Sequence, residues 1–239
     1  MHRRIVYAVV VCLLISIAFV GCAKKEEPAG KYTVTPKKEV PQVKTPQATQ
    51  PSEEAPRPVP SQKPISEERV LFSFEGTTDG FEIPFWTLEK EDHVADSIES
   101  TQEFASEGNA SLKVNCDFPG KSWTAALVEL EQYLDFSPYR EVAVDIYIPP
   151  DAPLGLRAKL ILTVGDDWRF TEMTRTIPLV PGKWVKVSGN IEPGSYDWKR
   201  TVPDESFRQD VRKIVVRIES NRVPVYKGPV YIDNIRIGK

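Results

Sequence analysis

The chain has 239 residues, a formal net charge of −3, and a hydrophobic share of 41% that includes five Trp, eight Tyr and ten Phe. That apolar and aromatic content excludes a wholly disordered chain, and the mild acidity argues against nucleic acid, which selects a basic face. Three Cys and two His are a thin supply for thiol, imidazole or zinc chemistry.

Arg3 and Arg4 precede an apolar run over 5–20, followed by Gly21-Cys22-Ala23-Lys24-Lys25. A basic start, an apolar stretch and small residues at its end describe a secretory signal over 1–21. As a helix the run would reach about 24 Å, short of the roughly 30 Å hydrocarbon core. Phe19-Val20-Gly21-Cys22 resembles a bacterial lipobox. The resemblance implies that Cys22 becomes the acylated, palmitate-bearing first residue and anchors the chain to a membrane. Ala23 in place of Asp resembles outer-membrane sorting. The expected location is therefore the cell envelope, at the outer membrane or cell surface rather than the inner membrane.

Processing changes the inventory. With Cys12 and His2 removed and Cys22 acylated, Cys116 and His93 are the only unmodified members of their types. An intramolecular disulfide is then excluded. Losing Arg3 and Arg4 leaves 29 basic residues against 34 acidic ones, a charge of about −5.

From Cys22 to Glu67 the composition shifts to Pro, Lys, Glu, Gln, Thr and Ser, with Tyr32 the sole aromatic. Such a segment cannot bury enough apolar surface to offset its ordering entropy, so a disordered Pro-rich tether is expected. In extended form it could span on the order of 100 Å.

The pattern changes again over 68–239. Alternating, β-branched segments recur at 70–74, 111–114, 141–148, 156–164, 168–177, 183–187, 212–219 and 230–237. Breakers such as Pro149-Pro150-Asp151, Gly165-Asp166-Asp167 and Lys227-Gly228-Pro229 separate them. Only 203–211 reads as a short helix. About ten mostly antiparallel strands in this length predict an all-β, two-sheet β-sandwich. Strand parity sends Val142, Val144, Ile146 and Ile148 inward with Ile214, Val216 and Ile218. It sends Asp145, Tyr147, Arg217 and Glu219 outward.

Four stretches resemble the galactose-binding-like jelly-roll domains, a group that includes many carbohydrate-binding modules. They are Phe72-Ser73-Phe74-Glu75-Gly76, Ala105-Ser106-Glu107-Gly108-Asn109-Ala110-Ser111-Leu112, Pro181-Gly182-Lys183-Trp184, and Gly228-Pro229-Val230-Tyr231-Ile232-Asp233-Asn234. The resemblance implies a structural calcium ion at Glu75 and Asp233, with carbonyls from the 106–109 loop. In a metal-free domain Asp233 would instead bond only to neighbouring backbone. It also implies a polysaccharide or oligosaccharide ligand. Trp86, Trp123 and Trp168, with Tyr147 from a sheet face, could stack on sugar rings, and Arg169, Glu172 and Arg217 could bond to hydroxyls. Each Trp also has a packing explanation, which suits Trp184 best.

Catalysis finds little support. His93 lies in the charged stretch Glu91-Asp92-His93, which reads as exposed, and Cys116 reads as a small core hydrophobe. Asp166-Asp167 fits turn chemistry, and no Gly-rich phosphate loop is present. The sequence therefore reads as a lipid-anchored, non-catalytic carbohydrate binder. The alternative is a structural or protein-interaction module of an envelope complex with the same fold.

Overall fold

The computed structural model describes residues 67–239. The signal segment, the lipobox with Cys22 and the Pro-rich tether lie outside the described residues. Eleven strands follow in chain order: β1 (Glu68–Phe72), β2 (Ala95–Thr101), β3 (Ser111–Phe118), β4 (Trp123–Leu134), β5 (Glu141–Tyr147), β6 (Arg157–Val164), β7 (Arg169–Glu172), β8 (Ile177–Pro178), β9 (Trp184–Asn190), β10 (Val211–Asn221) and β11 (Tyr226–Gly238). One short helix, α1 (Glu205–Gln209), interrupts them; Asp204 caps it by accepting the Phe207 amide at 2.8 Å.

All strand pairs are antiparallel. The first sheet runs β2-β3-β11-β5-β9, with β1 added to β11; the second runs β4-β10-β6-β7, with β8 added to β6. The expected β-sandwich is therefore present. Its core lies between the sheets, where Leu112, Val114 and Phe118 of β3 and Val142, Val144 and Ile146 of β5 meet Leu160 and Leu162 of β6 and Val216 and Ile218 of β10. Each such side chain stabilises the fold by about 1.5–3 kcal/mol relative to full exposure.

Every strand finds its partners within 67–239 and the two sheets enclose one core, so this segment has the core of its own that independent folding requires. Two strands fall outside the sequence expectation. β2 is mostly polar, with only Ala95 and Ile98 turned to the core, and in β4 the exposed Trp123 is followed by the buried run Thr124-Ala125-Ala126-Leu127-Val128. The segment expected as one strand over 168–177 divides into β7 and β8 around Met173, whose sulfur lies 3.2 Å from the Leu160 amide.

The outer faces of the two sheets differ. Asp145 and Tyr147 do point away from the core, but they are buried, at 8% and 7% exposure, not solvent-facing as the alternation implied. The cause is the segment after β2, which lies over this face of the first sheet. Phe104 packs 4.7 Å from Tyr147 and 4.9 Å from Tyr231, and the Ser106 hydroxyl donates to Asp145 at 2.9 Å. Trp184 completes the cluster against Tyr147 at 5.4 Å. Packing is indeed its role here.

Cys116 is fully enclosed in the core, and burial pushes its thiol well above the ordinary range. Only the thiolate reacts readily. In folded 67–239 protein, Cys116 should therefore resist iodoacetamide for hours and become labelled within minutes in strong denaturant. Rapid labelling without denaturant, followed by mass spectrometry, would contradict the closed core.

Candidate functional site

The outer face of the second sheet forms the floor of a groove. Ala125 and Leu127 of β4, Val215 of β10 and Ile161 of β6 form a small buried apolar cluster separate from the main core. Period-two alternation then places charges on the same face: Arg217 of β10 sits opposite Leu127 on one side and Lys159 of β6 on the other.

Two chain segments build the walls. Beside the free edge of β4, Glu82 exchanges two backbone bonds of 2.9 Å with Glu129, and Asp92 accepts the Ala125 amide at 2.8 Å. Between these anchors the chain makes a short 3-10 turn, Phe85–Thr87, fixed by the Thr87 hydroxyl donating to the Pro84 carbonyl at 2.6 Å. That turn presents Trp86. Beside β7, the Lys199 amide donates to the Glu172 carbonyl at 2.9 Å, and the Thr171 hydroxyl donates to the Lys199 carbonyl at 3.1 Å. Trp198 buries its ring at the base of this segment, donating to the Asn190 carbonyl at 2.8 Å. Lys199 and Arg200 are thereby carried to the groove.

Between the walls lie two hollows that share Phe170. The first, of about 200 Å³, is lined by Trp86, Lys90, His93, Trp123, Phe170 and Arg217 among others. The second, of about 210 Å³, is lined by Phe170, Glu172, Lys199 and Arg200. Trp86, Trp123 and Phe170 are 37%, 39% and 54% exposed. Aromatic rings held open to solvent by strands and anchored turns can stack on a flat apolar ligand face, with adjacent polar groups setting its orientation.

Electrostatically the groove centres on Glu172. Its carboxylate receives Arg217 at 2.6 Å, the Lys199 ammonium, and the buried Lys159 at 3.6 Å. Burial would raise the Glu172 carboxyl, but the Lys199 hydrogen bond and the Arg217 and Lys159 charges outweigh it and hold it below the ordinary carboxylate range. Burial is also the main cause lowering the Lys159 ammonium. Arg217 reaches Glu219 at 3.0 Å and lies 5.6 Å from the centre of the Trp123 ring. Lys90 covers one face of Trp86 at 4.3 Å.

The sequence candidates separate. Trp86, Trp123 and Arg217 meet in the first hollow, and Glu172 lines the second. Tyr147 is not with them; it belongs to the other sheet, inside the Phe104-Tyr231-Trp184 cluster. Trp168 is exposed but lines neither hollow. It occupies a left-handed turn position, φ 53°, at the opposite end of the sheet from Trp123, where Arg212 covers its ring at 5.2 Å. Arg169 turns back over the same hairpin toward Asp167 at 3.4 Å. Pleating explains the difference: Arg169 and Glu172 are three residues apart and cannot share a strand face, whereas Phe170 and Glu172 can.

Phe170, Lys199, Arg200 and His93 were not among the sequence candidates. His93 lines the first hollow half-buried, not on an exposed stretch, and both ring nitrogens are buried without a partner. Desolvation is the main cause lowering its imidazole below the ordinary value. Phe170 could have been found from the alternation with Glu172; the others depend on tertiary placement.

Glu75 and Asp233 meet at a different place, the loop between β2 and β3. Glu75 accepts the Asn109 and Ala110 amides at 2.7 and 3.3 Å, and Asp233 accepts those of Ser106 and Glu107 at 2.7 and 3.1 Å. Together they clasp the loop to the first sheet. Gly108 is required here, because its φ is 71° and an added Cβ would fall 2.1 Å from a Glu75 oxygen. Among the described residues no three His, Cys, Asp or Glu side chains converge as metal ligands. The donor set still suits an oxygen-preferring cation. A hollow of about 420 Å³ is bordered by Glu75, Glu107, Asn109 and Asn234, and the Asn234 Oδ1 atom is buried without a hydrogen-bond partner.

No family model and no curated protein matches the sequence. Solved structures do. A carbohydrate-binding module of Caldicellulosiruptor saccharolyticus, CBM27-1 in complex with mannohexaose, aligns with a TM-score of 0.50 and 22% identity, over 71% of this chain and 96% of that one. A CBM28 module specific for non-crystalline cellulose aligns with a TM-score of 0.50 and 15% identity, over 68% and 90%. At these identities the likeness is one of fold: the chain shares the β-sandwich of these carbohydrate-binding modules.

Proposed function

We propose that 67–239 is a non-catalytic carbohydrate-binding module that holds a polysaccharide across the outer face of its second sheet. The observation that carries this reading is the first hollow, where Trp86, Trp123 and Phe170 stand exposed around Arg217 on a rigid strand floor. Sugar rings have apolar faces that stack on such side chains and hydroxyls that bond to Arg, Asp and Lys groups beside them. The shared fold with modules described as binding mannohexaose and non-crystalline cellulose supports the same class of ligand.

In the full chain the module is held at the cell envelope by an acylated Cys22, with 22–67 as the tether. The basic, apolar and lipobox-like sequence of 1–22 supports this part. A calcium ion completes the clasp, held by Glu75, Asn234 and Glu107 while Asp233 braces the loop. Its contribution is structural, since it would tie the turn after β1, β11 and the 106–110 loop together with oxygen ligands.

Three measurements test these statements. On a panel of soluble glycans, 67–239 should bind at least one plant, algal or bacterial polysaccharide. Trp123→Ala should weaken that binding tenfold or more, whereas Trp168→Ala should change it less than twofold. Failure to bind any glycan, or an unaffected Trp123→Ala, would overturn the carbohydrate reading. Millimolar calcium should raise the melting temperature by several degrees, EDTA should reverse this, and Glu75→Gln should abolish the response; a melting temperature indifferent to both would leave the clasp to hydrogen bonds alone. In the full chain, Cys22→Ser should end labelling by a palmitate analogue and release the protein from the membrane fraction, and unchanged labelling would remove the anchor.

A further inference from the structure

Between residues 67 and 239 the chain carries 29 acidic and 21 basic residues, a charge of about −8. The groove reverses that balance. Its two hollows are lined by four cations, Lys90, Lys199, Arg200 and Arg217, against two acids, Asp92 and Glu172. Beneath them lies a further cation near Glu172, the Lys159 ammonium, buried at 2% exposure.

Glu172 is consequently oversubscribed. Its one negative charge is shared among Lys159, Lys199 and Arg217, of which Arg217 alone has a second carboxylate, Glu219. Arg200 forms no ion pair among the described residues. It is exposed and held at φ 60°, a left-handed conformation uncommon outside glycine. Each of these cations would gain from an added anion, and a partly enclosed site strengthens the interaction over that in bulk water. A neutral sugar supplies hydroxyls for these donors but leaves the excess charge uncompensated.

We propose that the ligand is an acidic polysaccharide, with a carboxylate or sulfate ester of one sugar unit seated in the hollow formed by Phe170, Glu172, Lys199 and Arg200. The proposal rests on the carbohydrate reading and adds the ligand's charge. Phe170 lines both hollows, so a sugar ring stacked on it in the first could place an acidic substituent toward Lys199 and Arg200 in the second. Arg bonds carboxylate and sulfate through a planar fork, which adds direction to the attraction.

The test uses 67–239 in calorimetric titrations with polygalacturonate, with the same polymer after carboxyl reduction, with a sulfated galactan and with neutral mannan. The expected result is at least tenfold tighter binding to a charged polymer than to both neutral ones, weakening severalfold between 50 and 200 mM salt. Preference for polygalacturonate assigns a carboxylate; preference for the galactan assigns a sulfate. The double variant Lys199→Gln with Arg200→Gln, whose side chains are exposed, should bring the charged polymer down to the neutral level, with circular dichroism confirming the fold. Equal binding to charged and neutral polymers would overturn the acidic ligand and leave the carbohydrate reading intact. A preference that survives in the double variant would overturn the assigned hollow. Failure to bind any of the four polymers, and any glycan on a wider panel, would overturn the carbohydrate reading itself.

Discussion

The groove depends on one carboxylate. Lys159 places an ammonium group on a sheet whose other face is the hydrophobic core, and desolvating an ion there costs several kcal/mol unless a counter-charge is present. Glu172 supplies that charge from the neighbouring strand. The same group holds Arg217 upright beside Trp123 and ties Lys199 to the free side of β7. Without it three cations would repel one another at close range, and the Lys199 wall would lose its ion pair with the floor. The apolar cluster of Ala125, Leu127, Ile161 and Val215 supplies the buried apolar part of the floor beside the charged residues.

Much of the sandwich was legible because its central strands obey a strict period of two. Val142, Val144 and Ile146 face the core as the alternation required, and Ile214, Val216 and Ile218 do the same. β2 and β4 escaped for opposite reasons. β2 is an edge strand that contributes only Ala95 to the fully buried set, so it lacks an apolar rhythm. In β4 both faces are buried, one by the core and one by the groove cluster, so Thr124 to Leu130 shows no alternation at all. A strand that lines a site on its outer face loses the signal that identifies it.

The site was legible residue by residue only where the backbone is regular. Arg217 and Glu172 fall on the groove face because parity holds along β10 and β7. Trp168 does not, because the hairpin turn before β7 takes it into a left-handed conformation beyond the reach of a parity rule. The wall residues Trp86, His93, Lys199 and Arg200 arrive by backbone pairing between segments distant in sequence, such as Glu82 with Glu129 and Met173 with Trp198. Trp86 could be suspected from its residue type. Nothing local marks Lys199 or Arg200.

The same asymmetry explains why the second sheet, and not the first, offers a binding face. Both sheets carry aromatic and charged residues outward, so composition alone does not choose between them. On the first sheet the clasp made by Glu75 and Asp233 holds the 106–110 loop down, and Phe104 follows it onto Tyr147 and Tyr231. Asp145 is then enclosed by Ser106, Asn234 and Arg236, which leaves it no unpaired direction toward solvent. Those aromatics are spent on each other. On the second sheet the flanking segments pair with the edges and do not cross the face, so Trp123 and Phe170 remain open between them. The clasp thus contributes to recognition indirectly: by closing one face of the sandwich it leaves the groove as the face on which exposed rings and unbalanced cations coincide.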